Sequence, residues 1–349
     1  MKTKFRFAKI VAVLAAAAVV LAACFAFAAC GDEPTVETIS LNVDSVKLAE
    51  GGSYDLSVIM TVSGVDEPVS GIDEDADITV TWTTGNDKVA TVDGGKVTAV
   101  GEGSTTVTAT ADGKSATCTV TVYASEDTVD TFDDLVSAVG AASEGDTVVI
   151  GADMTVTETV VLDKAVTVTS VTGVKLSVSG SVAVFDMTSG GATIDGIEIE
   201  KTDKTNVDGL VKMGEGATMN GCTITGRYAD GDSEVVRGFT QIAGSSITVT
   251  NNTFIELRQP GYVEGNGTIS GNYAAGTRGF VVTENSEVTI ENNSFGENAV
   301  DIAIIDNGEV EDNFVGKTAE LSAANNNCYV ENQPSGEYCD DGKTVNDIA

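Results

Sequence analysis

The stretch Val288-Thr-Ile-Glu-Asn-Asn-Ser-Phe295 decides the fold, because the C-terminal two thirds of the chain repeat its pattern. The pattern returns at residues 193–199, 218–224, 248–254, 268–274 and 309–315. A pattern that returns every 20 to 30 residues is typical of repeat proteins, in which each repeat packs against its neighbours. The sequence therefore predicts a stack of similar coils.

Three positions of the pattern keep their character from coil to coil. The first is apolar throughout: Ile194, Met219, Val249, Ile269, Ile290 and Val310. The position five residues later is small or apolar: Ile199, Ile224, Phe254, Ala274, Phe295 and Val315. The position between them is Ile197 and Cys222 in the first two coils and then asparagine, at 252, 272, 293 and 313. Asparagine side chains in register can hydrogen-bond from one coil to the next, and asparagine tolerates the left-handed backbone of a tight turn.

A second strand precedes the pattern in several coils, at residues 184–187, 210–213, 239–242 and 280–282. Two sets of strands with one period, joined by an asparagine ladder, resemble the pectin-lyase-like right-handed parallel β-helix. This resemblance implies a domain over residues 127–349.

One amphipathic helix opens this domain. Thr131 is placed as its N-cap, and Gly140 ends the periodic pattern. The apolar positions are Phe132, Leu135, Val136 and Val139. The first strand follows at residues 144–150. A helix in front of the first strand resembles the start of the β-helix in pectin-lyase-like proteins, where such a helix covers the open end of the core.

Residues 35–123 have a different pattern, in which apolar residues alternate with polar ones in short runs separated by glycine-rich turns. Such runs predict a β-sandwich, with Trp82 as a core residue. The segments 82–93, 95–110 and 114–122 resemble the bacterial Ig-like domain, group 2. That family implies an extracellular spacer or adhesive module without catalysis. The fold class predicted for the whole chain is therefore all-β: an Ig-like sandwich followed by a parallel β-helix with an N-terminal capping helix.

The acidic segment 65–78 is longer than the Ig-like family leads one to expect. Its carboxylates at Asp73, Glu74, Asp75 and Asp77 offer oxygen ligands for Ca²⁺. The segment lacks the glycine and the spacing of a defined calcium loop, so a solvated loop is the favoured interpretation and no cofactor is predicted.

Composition excludes several functions. The 349 residues include 53 acidic and 19 basic residues and no histidine, for a net charge of −34. Such a surface repels nucleic acid. The lack of histidine excludes histidine-based acid–base chemistry and histidine metal sites.

Residues 1–30 form a targeting segment, followed by a short linker at 31–34. Four basic residues precede the uninterrupted apolar run from Ile10 to Ala29. Cys24 and Cys30 each follow small residues, as in the bacterial lipobox, and the sequence leaves open which of them is lipidated. The prediction is an exported lipoprotein, anchored to the bacterial membrane by lipid and exposed at the surface. The alternative is an uncleaved membrane anchor, since about 20 apolar residues can span a bilayer.

The other four cysteines fall into two groups. Cys118 and Cys222 occupy the apolar sides of strands and are predicted to be buried free thiols. Cys328 and Cys339 lie in a polar C-terminal tail and are predicted to form a disulfide in an exported protein.

The candidate site is a row of arginines. Arg237, Arg258 and Arg278 are 21 and 20 residues apart, close to one coil, and Asp230 and Asp232 lie on the longest coil beside them. Three interpretations compete: an exposed salt-bridge ladder, a glycan-binding surface, or a catalytic site like those that the fold resemblance implies. The leading hypothesis is a cell-surface lipoprotein with a non-catalytic adhesive or glycan-binding role, whose partner is an extracellular glycan or surface protein. A polysaccharide lyase or glycoside hydrolase is the alternative.

Overall fold

A computed structural model describes residues 35–63, 69–70, 78–229, 233–277, 280–283, 288–291, 293–295, 302–305 and 328–330. These residues fall into two compact units that divide between Tyr123 and Ala124. Among the residues described, no helix is long and apolar enough to cross a membrane. The lipobox cysteines Cys24 and Cys30, the carboxylates of the 65–78 segment, and Cys339 lie outside these residues.

The first unit is built of ten short strands. In chain order they are β1 (Val36–Leu41), β2 (Ser45–Ala49), β3 (Ser53–Asp55), β4 (Val58–Val62), β5 (Val69–Ser70), β6 (Thr81–Thr84), β7 (Ala90–Asp93), β8 (Lys96–Ala99), β9 (Gly103–Ala111) and β10 (Lys114–Tyr123). They form three sheets, with strand orders β1-β4-β5, β2-β10-β9-β6 and β3-β8-β7. Most pairs are antiparallel, and β2 runs parallel to β10.

The alternating residues of these strands close over one apolar core. Val97, Val107 and Val120 are completely buried in it, as is the free thiol of Cys118. Trp82 is only partly buried and packs against the edge of the core, because β6 is the outermost strand of its sheet. The prediction of Trp82 as a core residue is therefore met only in part.

The second unit begins with a 3-10 turn at Ser125–Asp127 and the helix α1 (Phe132–Ala141), the one α-helix within the described ranges. Its strands are β11 (Thr128–Val129), β12 (Thr147–Ile150), β13 (Met154–Val156), β14 (Val160–Val161), β15 (Thr167–Ser170), β16 (Lys175–Val178), β17 (Phe185–Met187), β18 (Thr193–Asp195), β19 (Glu198–Lys201), β20 (Val211–Met213), β21 (Thr218–Asn220), β22 (Thr223–Thr225), β23 (Arg237–Gln241), β24 (Ser246–Thr250), β25 (Thr253–Ile255), β26 (Gln259–Val263), β27 (Asn266–Ser270), β28 (Tyr273–Ala275), β29 (Phe280–Thr283), β30 (Val288–Glu291), β31 (Ser294–Phe295), β32 (Ile302–Ile305) and β33 (Cys328–Val330).

These strands form three parallel sheets that run along a right-handed β-helix. We call them the first sheet (β11-β12-β15-β18-β21-β24-β27-β30), the second sheet (β13-β16-β19-β22-β25-β28-β31) and the third sheet (β14-β17-β20-β23-β26-β29-β32-β33). The repeated sequence pattern supplies one strand to the first sheet and the next to the second. The predicted inward positions are in register in both, from Ile194 to Ile290 and from Ile199 to Phe295.

The predicted asparagine ladder lies at the turn between the first and second sheets. The backbone N–H of Asn252 and its side-chain amide both donate to Asn272 Oδ1, at 2.8 and 2.9 Å. Asn272 donates to Asn293 Oδ1 in the same way, with both distances 2.9 Å. Each amide also donates inward to a carbonyl of the first sheet, as Asn272 does to Val249 O at 3.0 Å. The ladder thus satisfies buried backbone groups that the turn leaves unpaired.

The helix α1 covers the first coil, as the sequence predicts. Thr131 caps it by accepting the backbone N–H of Asp134, and Leu135 is completely buried. Val136, which the sequence places on the apolar face of the helix, is instead 36% exposed. At the other end, the Lys164 ammonium donates to the carbonyl oxygens of Gly140 and Ala142 at 3.1 and 2.8 Å. A cation at the C-terminus satisfies free carbonyls and complements the helix dipole.

Three phenylalanines fill the core behind the third sheet. Phe239, Phe254 and Phe280 lie with ring centroids about 6 Å apart. A Cβ at Gly261 would lie 2.2 Å from the Phe239 ring, so only glycine fits there. Gly261 belongs to β26, a strand that is missing from those predicted from the sequence. Between β23 and β26 the paired residues are Arg237 with Gln259 and Phe239 with Gly261, and Gly238 and Pro260 are not paired. The N–H that proline lacks is therefore not needed by the sheet.

Replacing Asn272 by Ala should lower the free energy of unfolding by about 3 kcal/mol, because it leaves buried donors and acceptors on both neighbouring coils without partners. Urea unfolding followed by circular dichroism measures the change. Asn220→Ala is the control, since Asn220 is only partly buried and bonds surface groups. Equal losses in the two variants would contradict a special role for the ladder.

Cys118 should resist alkylation in the folded protein. Burial, reinforced by Asp44, raises the pKa of its thiol to about 11, so the reactive thiolate is scarce below that pH. Iodoacetamide at pH 8 followed by peptide mass spectrometry should leave Cys118 unmodified, and modification should appear once urea unfolds the domain. Rapid labelling of the native protein would show that the strand β10 opens.

Candidate functional site

From β18 onward, the turn between the second and third sheets is where the coils differ most in length. Five residues separate Ile194 from Ile199, and the equivalent step is five in every later coil. The step from the second sheet to the third is 12 residues from Ile199 to Val211 and 15 from Ile224 to Phe239. It falls to 7 from Phe254 to Gly261. The longer connections project beyond the core here.

Two of these longer connections carry a shallow pocket, which we call the corner site. Lys204 comes from the connection after β19, and the other four residues come from the connection after β22. The lining residues are Lys204, Arg227, Tyr228, Glu234 and Val236. The cavity between them has a volume of about 10 Å³, about the space of one water molecule, and is open to solvent.

The connection that carries Lys204 is fixed by its neighbours. Lys201 is completely buried and its ammonium pairs with Asp203, whose side chain is 40% exposed. Asp203 also accepts the backbone N–H of Gly180 at 2.9 Å and the hydroxyl of Thr205 at 3.1 Å. Burial lowers the pKa of Lys201, so the pairing with Asp203 offsets part of the cost of a charge in the core.

The second connection is tied to both neighbouring coils. Asn206 Oδ1 accepts the backbone N–H of Val235 at 2.7 Å, which joins the two connections directly. On the other side, the backbone N–H of Tyr228 donates to the carbonyl of Glu256 at 2.7 Å. These two hydrogen bonds tie the described part of this connection to the coils before and after it.

Arg227 is held loosely by an ion pair. Its guanidinium lies 3.4 Å from Glu200, and Glu200 is shared with Lys175 at 3.3 Å. Lys175 also pairs with Glu198 at 3.2 Å, and these contacts together raise the pKa of Lys175 against the opposing effect of burial. Within the described residues, Arg227 Nε is buried and has no acceptor.

The guanidinium of Arg237, by contrast, has three partners. It pairs with Asp208, donates from Nε to Gln259 Oε1 at 2.6 Å, and lies 4.2 Å above the centre of the Tyr262 ring. Only 18% of its side chain is exposed, and burial lowers the pKa of Arg237, with Arg258 contributing in the same direction. Arg237 therefore joins three coils.

The predicted row of arginines is out of register. Arg237 pairs across the third sheet with Gln259, while the backbone N–H of Arg258 donates to the carbonyl of Val236. The coil between them has 22 residues rather than the 21 that an aligned row requires. Arg258 is thus displaced by one residue, although it lies near enough to affect Arg237. Arg278, Asp230 and Asp232 lie outside the described residues.

Sequence reasoning missed Lys204, Arg227 and Tyr228. Arg227 and Tyr228 could have been noticed because they closely follow the repeated pattern at residues 218–224, in the longest coil. Nothing in the sequence marked Lys204, because its position depends on how the shorter connection folds. Within the described ranges, no group of three or more acidic or cysteine side chains is arranged to hold a metal ion.

Three parallel sheets, a covering helix and an internal asparagine ladder define the second unit as a parallel β-helix. A family model described as the right handed beta helix region matches residues 159–333, half of the chain, and the protein belongs to this family. A second model, the bacterial Ig-like domain (group 2), matches residues 35–122. The predicted fold of both domains is confirmed.

The chain is also similar to a curated protein, a lacto-N-biosidase from Bifidobacterium bifidum. The two are 63% identical over 51 residues, which is 14% of this chain and 5% of that protein. The chain therefore spans only a small part of that relative. Together the two domain families and this partial match indicate a surface or glycan-related protein.

Replacing Arg237 by Met should lower the free energy of unfolding by about 2 kcal/mol, because it removes a charged hydrogen bond and a cation–π contact between coils. Thermal and urea unfolding measure the loss. Lys212→Met removes an equal charge from the same sheet and should cost less than about 0.5 kcal/mol. An unchanged stability in Arg237→Met would show that its contacts are dispensable and free it for a ligand.

Proposed function

We propose that this protein is a lipid-anchored bacterial surface protein that binds a glycan, without cleaving it, through the corner site. The observation that carries the proposal is the composition of that site. On a chain of net charge −34, one small pocket brings together two cations, a phenol ring and a carboxylate. Sugars present hydroxyl groups that both donate and accept, together with apolar ring faces.

The surroundings of the pocket support binding more than catalysis. A glycoside hydrolase requires two carboxylates at distances that flank the scissile bond, one of them able to act as an acid. Among the described residues, Glu234 is the one carboxylate that lines the corner site, and the neighbouring Glu200 and Asp208 are paired with cations.

The domain arrangement supports a surface role. The Ig-like group implies a spacer or adhesive module, and the apolar segment before it carries the two candidate lipidation cysteines, Cys24 and Cys30. The partial match to a protein named as a biosidase adds a link to glycans. Because that match spans 5% of the relative, it supports the association and not the activity.

The proposal is tested with immobilised glycans and the purified full chain, with and without Ca²⁺. We expect retention on some glycans, with no release of product. Tyr228→Ala should weaken retention about tenfold, since stacking on an aromatic ring contributes on the order of 1 kcal/mol or more. Tyr273→Ala is the matched control: this tyrosine is 39% exposed on β28 and does not line the pocket.

Two results would contradict the proposal. Ultraviolet-absorbing unsaturated product from polygalacturonate, or reducing ends released from any glycan, would establish the lyase or hydrolase alternative. Retention that Tyr228→Ala and Tyr273→Ala leave equally unchanged would remove the corner site from glycan binding.

A further inference from the structure

We draw no further inference here: the strongest candidate, the row of threonines that are in register on the outer face of the first sheet from Thr147 to Thr289, carries nothing because nothing in the structure shows what covers it.

Discussion

The second domain depends on satisfying hydrogen bonds at the turn between its first and second sheets. A β-helix must bend its chain at the same place in every coil, and each bend removes backbone groups from the sheets. Asn252, Asn272 and Asn293 provide replacements, and the side chains of Asn252 and Asn272 bond to the coil before and to the coil after. Because buried polar groups are costly when unpaired, this constraint holds the coils in register and keeps the step between Ile194 and Ile199 constant in its later equivalents.

At the turn between the second and third sheets the length of the chain is not constrained in this way. The connections to the third sheet lie outside the core, so their backbone groups can reach water or one another, and their length is free to differ. Doubling such a connection costs only about 0.6 kcal/mol in closure entropy. Polar residues accumulate there as a result, among them the buried Lys201 with its partner Asp203 and the cations of the corner site.

The contrast between these two turns explains which parts of the structure could be predicted from the sequence. Periodic apolar residues and in-register asparagines predicted the first two sheets with their register, because packing fixes both. The Ig-like domain followed from its alternating strands and turns for the same reason. The strand β26 was not predicted, and the register shows that Pro260 lies at a position of it that needs no N–H. The arginine row was misplaced by one residue, since spacing in sequence measures chain length and not register, and Lys204 was invisible because a connection carries no period.

From β18 onward, the constant first corner and the variable second corner allow one part of a coil to change while the rest is kept. Residues can be inserted between β22 and β23 without moving any strand partner, since the neighbouring coils constrain only where the connection begins and ends. Selection can therefore alter the surface of a coil independently of its stability. A chain built in this way can acquire a new specificity by exchanging one connection, while the remaining coils continue to fold as before.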